Sequence, residues 1–179
     1  HGMANAFDLG GRVAVVTGGN GGIGLGMAQG LARAGAALVI AGRNAAKNAA
    51  AVTALQTQGA KAVAVEADVT GQPACQALIA AALDRFGRLD ILINNAGINI
   101  RKQPQDYTLE EWKSVLDTNL TSAFLCSQAA YPAMLKAGGG KIVNIGSMMS
   151  IFGAAFAGPY GASKGGMVQL TKSLASAWA

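Results

Sequence analysis

Apolar residues in this chain gather in short runs that stop at a glycine or a polar residue, and the first run sets the pattern. Val13-Ala14-Val15-Val16 carries no polar residue on either parity, as in a strand buried on both faces of a parallel sheet rather than half-buried in an antiparallel one. Apolar runs recur at 38–41 and 62–65, and shorter ones with a charged first residue at 90–93 and 141–145, the last also broken by Asn144. Between them the period becomes helical. Ile23, Met27, Leu31 and Ala34 predict a helix from Gly22 to about Gly35, where the glycine suits a C-terminal cap. An Ala-rich helix follows Gly42-Arg43-Asn44 and ends near Gly59, and another covers about 72–86 before Gly87. A single long helix is expected from Thr108 to about Lys136, stopped by Gly138-Gly139-Gly140, and a last helix runs over 160–178.

Strands alternating with helices of this length specify an α/β class, a doubly wound parallel sheet of Rossmann-like form with ligands at the carboxyl ends of the strands. A helix facing a sheet is normally followed by a strand, so the C-terminal strands of such a fold are expected to be missing. Residues 1–179 are read as a single dinucleotide-binding domain, truncated after its last helix.

Composition adds exclusions. With 51% hydrophobic and 13% charged residues, 179 residues make one soluble domain. The net charge of +5 comes from 14 basic and 9 acidic residues, but the basic ones are dispersed, which argues against a nucleic-acid surface. Cys75 and Cys126 lie far apart in helical patterns, with no Cys or His at metal-ligand spacing, and read as ordinary thiols of a reducing compartment with no metal. The only histidine, His1, precedes Gly2 and Met3 like a tag remnant, so catalysis is expected to do without histidine. No apolar stretch has signal-peptide flanks or the length of a membrane span, and the expected location is cytoplasmic.

After the first strand comes Thr17-Gly18-Gly19-Asn20-Gly21-Gly22-Ile23-Gly24, where glycines let a ligand lie against the backbone and the first free amides of a helix favour a phosphate. Three glycine registers fit: 19/21/24, 18/21/24 and 18/22/24. Every strand also ends on a polar group: Thr17, Arg43, Asp68, Asn94 with Asn95, and Ser147. Pro159 is placed to start a helix that sets Tyr160 and Lys164 four residues apart on one face. A phenol is ordinarily too weak an acid for neutral-pH proton transfer, and a neighbouring ammonium favours its phenolate.

Taken in order, Thr17-Gly18-x-x-x-Gly22-x-Gly24, Asn94-Asn95-Ala96-Gly97, Asn119, Ser147 and Tyr160-x-x-x-Lys164 resemble the short-chain dehydrogenase/reductase family over nearly the whole chain. The resemblance selects the 18/22/24 register. It implies that Tyr160 is the general acid/base, that Lys164 assists it and holds the nicotinamide ribose, and that Ser147 hydrogen-bonds the reacting oxygen. Asn119 would hold a water that relays protons to Lys164. Gly18, Asn20, Gly22, Ile23, Gly24, Arg43, Asp68, Val69, Asn95 and Gly97, together with Tyr160 and Lys164, would form the cofactor site. Asn94 would brace its strand. Within the family the stretch from Asn94 to Arg101 with Pro104 and Trp112, and Ser147-Met148-Met149-Ser150, look similar to sugar-acid dehydrogenases acting on gluconate or 2-deoxygluconate. Met148, Met149, Phe152 and Phe156 are candidates to shape the substrate pocket, and Arg101 to meet a substrate carboxylate. Members usually continue for some further strands, and the family resemblance implies a homodimer or homotetramer built on the two long helices.

The expected cofactor is NADP, with NAD possible. Enzymes that choose NAD place a carboxylate at the end of strand two. Here Gly42 takes that position and is expected to leave room for a 2′-phosphate, which Arg43 can pair with bidentately. Against this, the glycine turn brings no second basic residue, since Gly21 stands where many NADP-preferring relatives carry one. The function expected is hydride transfer between nicotinamide and a secondary alcohol or ketone of a small molecule, and the alternative is a dinucleotide-binding module without turnover.

Overall fold

The computed structural model describes residues 8–145 and 158–178. Five strands form one wholly parallel sheet: β1 Val13–Thr17, β2 Ala37–Gly42, β3 Ala62–Glu66, β4 Ile91–Asn94 and β5 Lys141–Asn144. Their order is β3-β2-β1-β4-β5, so the chain reverses its winding direction between β1 and β4. That reversal opens the crevice where doubly wound sheets bind ligands.

All five residues of β1 are buried, as its unbroken apolar run requires at the middle of a sheet covered on both faces. Val15 pairs in register with Val39 and Leu92, and these three face α3 (Gln72–Phe86) and α5 (Ser122–Lys136) with Cys75, Leu78, Cys126 and Ala130. Ala14, Val16, Leu38, Ile40 and Ile93 point the other way, toward α1 (Gly22–Arg33) and α2 (Ala45–Thr57) with Ala28, Ala51 and Leu55. Burying each of these larger aliphatic side chains contributes about 1.5–3 kcal/mol, which fixes the register of the two layers.

Helix ends fall where glycine or a capping side chain allows. Gly35 and Gly87 take φ +102° and +80° just past α1 and α3. Asn44 and Thr108 cap α2 and α4 (Leu109–Leu116) by accepting from the Lys47 and Glu111 amides, at 2.9 and 3.1 Å.

The helix expected over 108 to about 136 is interrupted. Between α4 and α5, Asp117–Thr121 forms a π-helical segment, in which the Ser122 amide bonds to the carbonyl of Asp117. Asn119 lies in this widened turn, fully buried. The last helix, α6 (Gly158–Ala177), packs on α4 and the π segment through its first half, where Ser163, Lys164 and Met167 are buried, while most of 171–177 is exposed. Among the described residues β5 is an edge strand, and its Val143 is 43% exposed.

Cys75 and Cys126, distant in sequence, are brought together by the packing of α3 on α5. Their sulfurs lie 3.4 Å apart and both are buried free thiols. No cluster of three or more His, Cys, Asp or Glu suited to a metal ion exists among the described residues.

Candidate active site

The glycine turn between β1 and α1 distinguishes the three registers. Gly18 and Gly22 have φ of +62° and +54°, and a Cβ on Gly24 would collide with the Gly18 carbonyl and come 2.5 Å from Asn95 Nδ2. Gly21 is extended, at φ −176°, with open space beside it, so any residue could stand there. The turn therefore needs glycine at 18, 22 and 24.

The strand ends converge on this turn. Thr17 Oγ1 accepts from the Asn95 and Ala96 amides, both at 3.0 Å, stapling the end of β4 to the end of β1. Asn95 Nδ2 donates to the Gly18 carbonyl at 3.2 Å, so this side chain braces the turn itself. Asn94 braces β4 and β5, donating to Asn144 Oδ1 at 2.8 Å and Ser127 Oγ at 3.2 Å. A cavity of about 540 Å³ opens along this edge, with Gly18, Asn20, Arg43, Asp68, Val69 and Gly97 in its wall. Hydrogen bonds from the Thr70 hydroxyl (2.6 Å) and amide (3.1 Å) hold the Asp68 carboxyl below its ordinary value, leaving a fixed anion on one rim. Gly22, Ile23 and Gly24 stand outside the cavity wall, with Ile23 71% exposed at the start of α1.

A second group closes the inner end. Asn119 Oδ1 accepts from the Ile98 amide at 2.6 Å while its Nδ2 donates to the Ile98 carbonyl at 2.8 Å and to Ser163 Oγ at 3.1 Å. Both amide hydrogens are thus committed. Ser163, fully buried, donates in turn to the Tyr160 carbonyl at 2.8 Å and so ties the first turn of α6 to the π segment. Lys164 Nζ donates to the Ile145 carbonyl at 3.3 Å and lies 5.6 Å from the centroid of the Tyr160 ring. Burial lowers the pKa of the Lys164 ammonium, which is 5% exposed. A Cβ added to Gly97 would lie 3.2 Å from Asn119 Oδ1 and 3.5 Å from Lys164 Nζ. Gly97 is therefore the point where the cavity meets the Asn119–Lys164 pair. Ser147, and the pocket candidates Met148, Met149, Phe152 and Phe156, lie outside the described residues.

The profile of the short chain dehydrogenase family matches residues 12–179. The chain belongs to that family. Its members are NAD(P)-dependent oxidoreductases, and the chain is 41% identical to gluconate 5-dehydrogenase of Gluconobacter oxydans over 172 residues, 96% of this chain and 67% of that one. It is 39% identical to 2-dehydro-3-deoxy-D-gluconate 5-dehydrogenase of Escherichia coli K12 over 178 residues, 99% of this chain and 70% of the relative. A crystal structure assigned as a gluconate dehydrogenase from Agrobacterium tumefaciens superposes with TM-score 0.91 at 44% identity, covering 96% of this chain and 68% of the other. One assigned as a short-chain alcohol dehydrogenase from Sinorhizobium meliloti gives 0.94 at 41%, covering 97% and 69%. The chain thus spans about two thirds of the length of the relatives it matches.

The fold also adds residues. Gly42 lines the cavity, but the direction a side chain would take from it is filled: a Cβ there would strike Asn20 Nδ2 and come 2.7 Å from Asn48 Oδ1. A second cation does reach the cavity wall, from α2 rather than from the glycine turn, because Lys47 lies in the first turn of that helix. Lys47, Asn48 and Ser163 carried no motif in the sequence. Ser163 could have been found as the polar residue between Tyr160 and Lys164, one helical turn after Tyr160 and next to Lys164.

Proposed function

We propose that this chain carries the cofactor site and proton-transfer groups of an NADP-preferring dehydrogenase that acts on a secondary alcohol or ketone of a sugar acid. The observation that carries the reading is the convergence of Asn119 and Lys164 on Gly97, at the inner end of a cavity bounded by the glycine turn, with Tyr160 one helical turn before Lys164. The glycine turn fits a dinucleotide, since its backbone is bare at positions 18, 22 and 24 and no side chain caps the opening amides of α1. The bound nicotinamide supplies or accepts the hydride.

Tyr160 gives its phenolic proton to the reacting oxygen in reduction and takes one from the alcohol in oxidation. The Lys164 ammonium, 5.6 Å from the centre of the Tyr160 ring, sets a positive charge beside the proton-transfer group. Asn119, with both amide hydrogens already committed, holds the relay water through an oxygen. Ser147 hydrogen-bonds the reacting oxygen. The sugar-acid class rests on the names of the relatives together with the Asn94 to Arg101 stretch.

Arg43 and Lys47 on the cavity wall support the choice of NADP, because residues 42–44 at the end of β2 supply a cation and no carboxylate, and Lys47 adds a second cation to a wall whose one carboxylate is Asp68 at the end of β3. Side-by-side titrations test this: NADPH should bind more tightly than NADH, and Arg43→Ala should weaken NADPH by ~1 to 3 kcal/mol with little effect on NADH. Tighter NADH binding by the unmutated protein would overturn the preference. A turnover assay on sugar acids, acyl ketones and steroids tests the reaction, and binding without any turnover would favour a pure dinucleotide-binding module.

A further inference from the structure

Asn48 is a polar residue on an apolar stripe. Positions 48, 51 and 55 of α2 face the sheet; Ala51 and Leu55 are apolar there, and Asn48 is 4% exposed. A buried amide in a helix–sheet contact is unfavourable unless its donors and acceptor are matched. Here Nδ2 donates to the Gly42 carbonyl at 3.0 Å and Oδ1 accepts from Asn20 Nδ2 at 2.9 Å. Asn48 therefore joins the two loops that border the cavity: the glycine turn, through Asn20, and the end of β2, through Gly42. An alanine or leucine would pack this face of α2 equally well and join nothing.

The bridge occupies a definite volume. A Cβ on Gly42 would fall on Asn20 Nδ2 and 2.7 Å from Asn48 Oδ1, so a side chain at position 42 and the Asn20–Asn48 hydrogen bond exclude one another. The obstructing atoms are side-chain termini and can move, at the expense of that hydrogen bond. Position 42 ends β2, which is where a carboxylate would meet the ribose hydroxyls of an unphosphorylated dinucleotide.

We propose that Asn48 is a specificity-determining positioning residue: acting through Asn20, it closes the space a ribose-binding carboxylate at position 42 would need. The 2′-position is thereby left to the Arg43 and Lys47 side of the cavity wall. This rests on the dinucleotide reading of the cavity given above. It makes a statement that reading does not: cofactor choice at position 42 is coupled to position 48, which is outside the cavity wall.

The test is a double-mutant cycle. Dissociation constants for NADPH and NADH are measured by nicotinamide fluorescence on the unmutated protein, Gly42→Asp, Asn48→Ala and the double variant, with thermal melts to confirm that each is folded. Asn48→Ala alone should lower the NADPH preference. Gly42→Asp alone should improve NADH binding by less than about threefold, whereas in the Asn48→Ala background it should do so by about tenfold or more, the size of a coupling between contacting residues. If Gly42→Asp shifts the NADPH to NADH ratio by the same factor in both backgrounds, the coupling is absent and the inference falls. Should Asn48→Ala fail to fold, Asn20→Ala removes the same hydrogen bond from its more exposed side and completes the cycle. If the unmutated protein binds neither dinucleotide, the cavity assignment falls first and the inference with it, a result distinct from tight binding with additive ratios.

Discussion

Two side chains at the start of α6 separate function from stability. Tyr160→Phe removes only the phenolic hydroxyl, so turnover of the complete enzyme should drop by ~10² or more while cofactor affinity stays nearly unchanged. Near-normal steady-state rates would remove Tyr160 from the mechanism. Lys164 makes the opposite case, because its ammonium is buried and none of the ion pairs among the described residues includes it. Burial lowers its pKa, so holding the charged form opposes folding below the folded-state pKa, and this cost fades as pH rises toward the ordinary lysine value of about 10.4. Lys164→Met should therefore abolish turnover yet leave the melting temperature equal or higher at neutral pH, with any gain shrinking in alkaline buffer. A lower melting temperature at pH 7 would show that the hydrogen bond to Ile145 outweighs the desolvation.

The strands and helices hold their places through contacts remote from the cavity as well as beside it. At the amino ends of β1 and β4, the Asp90 carboxylate accepts from the Val13 amide at 2.9 Å and from Arg88 at 2.7 and 2.9 Å, with Arg12 at 3.3 Å. Burial pushes its pKa up, but the hydrogen bonds from Arg88, Val13 and Arg12 together outweigh it and hold the carboxyl below its ordinary value. A depressed carboxylate contributes stability above its unfolded pKa, about 4, that is lost as pH falls through the folded value. Asp90→Asn should thus cost about 1 to 3 kcal/mol in urea unfolding at neutral pH, and the gap to the unmutated protein should close in acid. A gap that stayed constant with pH would assign the loss to packing. The π segment belongs to this scale too: from its widened turn Asn119 reaches both polar groups of Ile98 and the Ser163 hydroxyl.

At the scale of the whole molecule, the open side among the described residues is the β5 edge together with the second half of α6. Val143 on β5 is 43% exposed, residues 171–177 are largely exposed, and Phe124 and Leu135 of α5 stand 41% and 67% exposed. An uncovered strand edge beside apolar helix surface is a surface for association. The 179-residue chain on its own should therefore self-associate or aggregate in light scattering. A stable monomer at micromolar concentration would contradict this. The two helices that start near Thr108 and Tyr160 are also where the dimer or tetramer contacts are proposed.

Much of this was legible in the residues. Short apolar runs located all five strands to within a residue or two, most cleanly at β1 and β2, which are buried on both faces and admit no charged position, and the terminating glycines marked the ends of α1 and α3. Tyr160 and Lys164 were legible as a pair four residues apart on one helix, whereas Gly18 was chosen among three glycine registers, and Asn119 was singled out, only through the family resemblance. The strand order, the break at Asp117–Thr121 and the contact of Cys75 with Cys126 were decided only by tertiary packing, since each depends on distant partners: Asn95 bonds Thr17 78 residues away, Asn119 bonds Ser163 44 away, and Cys126 meets Cys75 51 away. Gly42 shows the difference most clearly. Its sequence context describes an empty place at the end of a strand, but whether that place is empty depends on Asn20 and Asn48, and only the packing of α2 against the glycine turn puts their amides there.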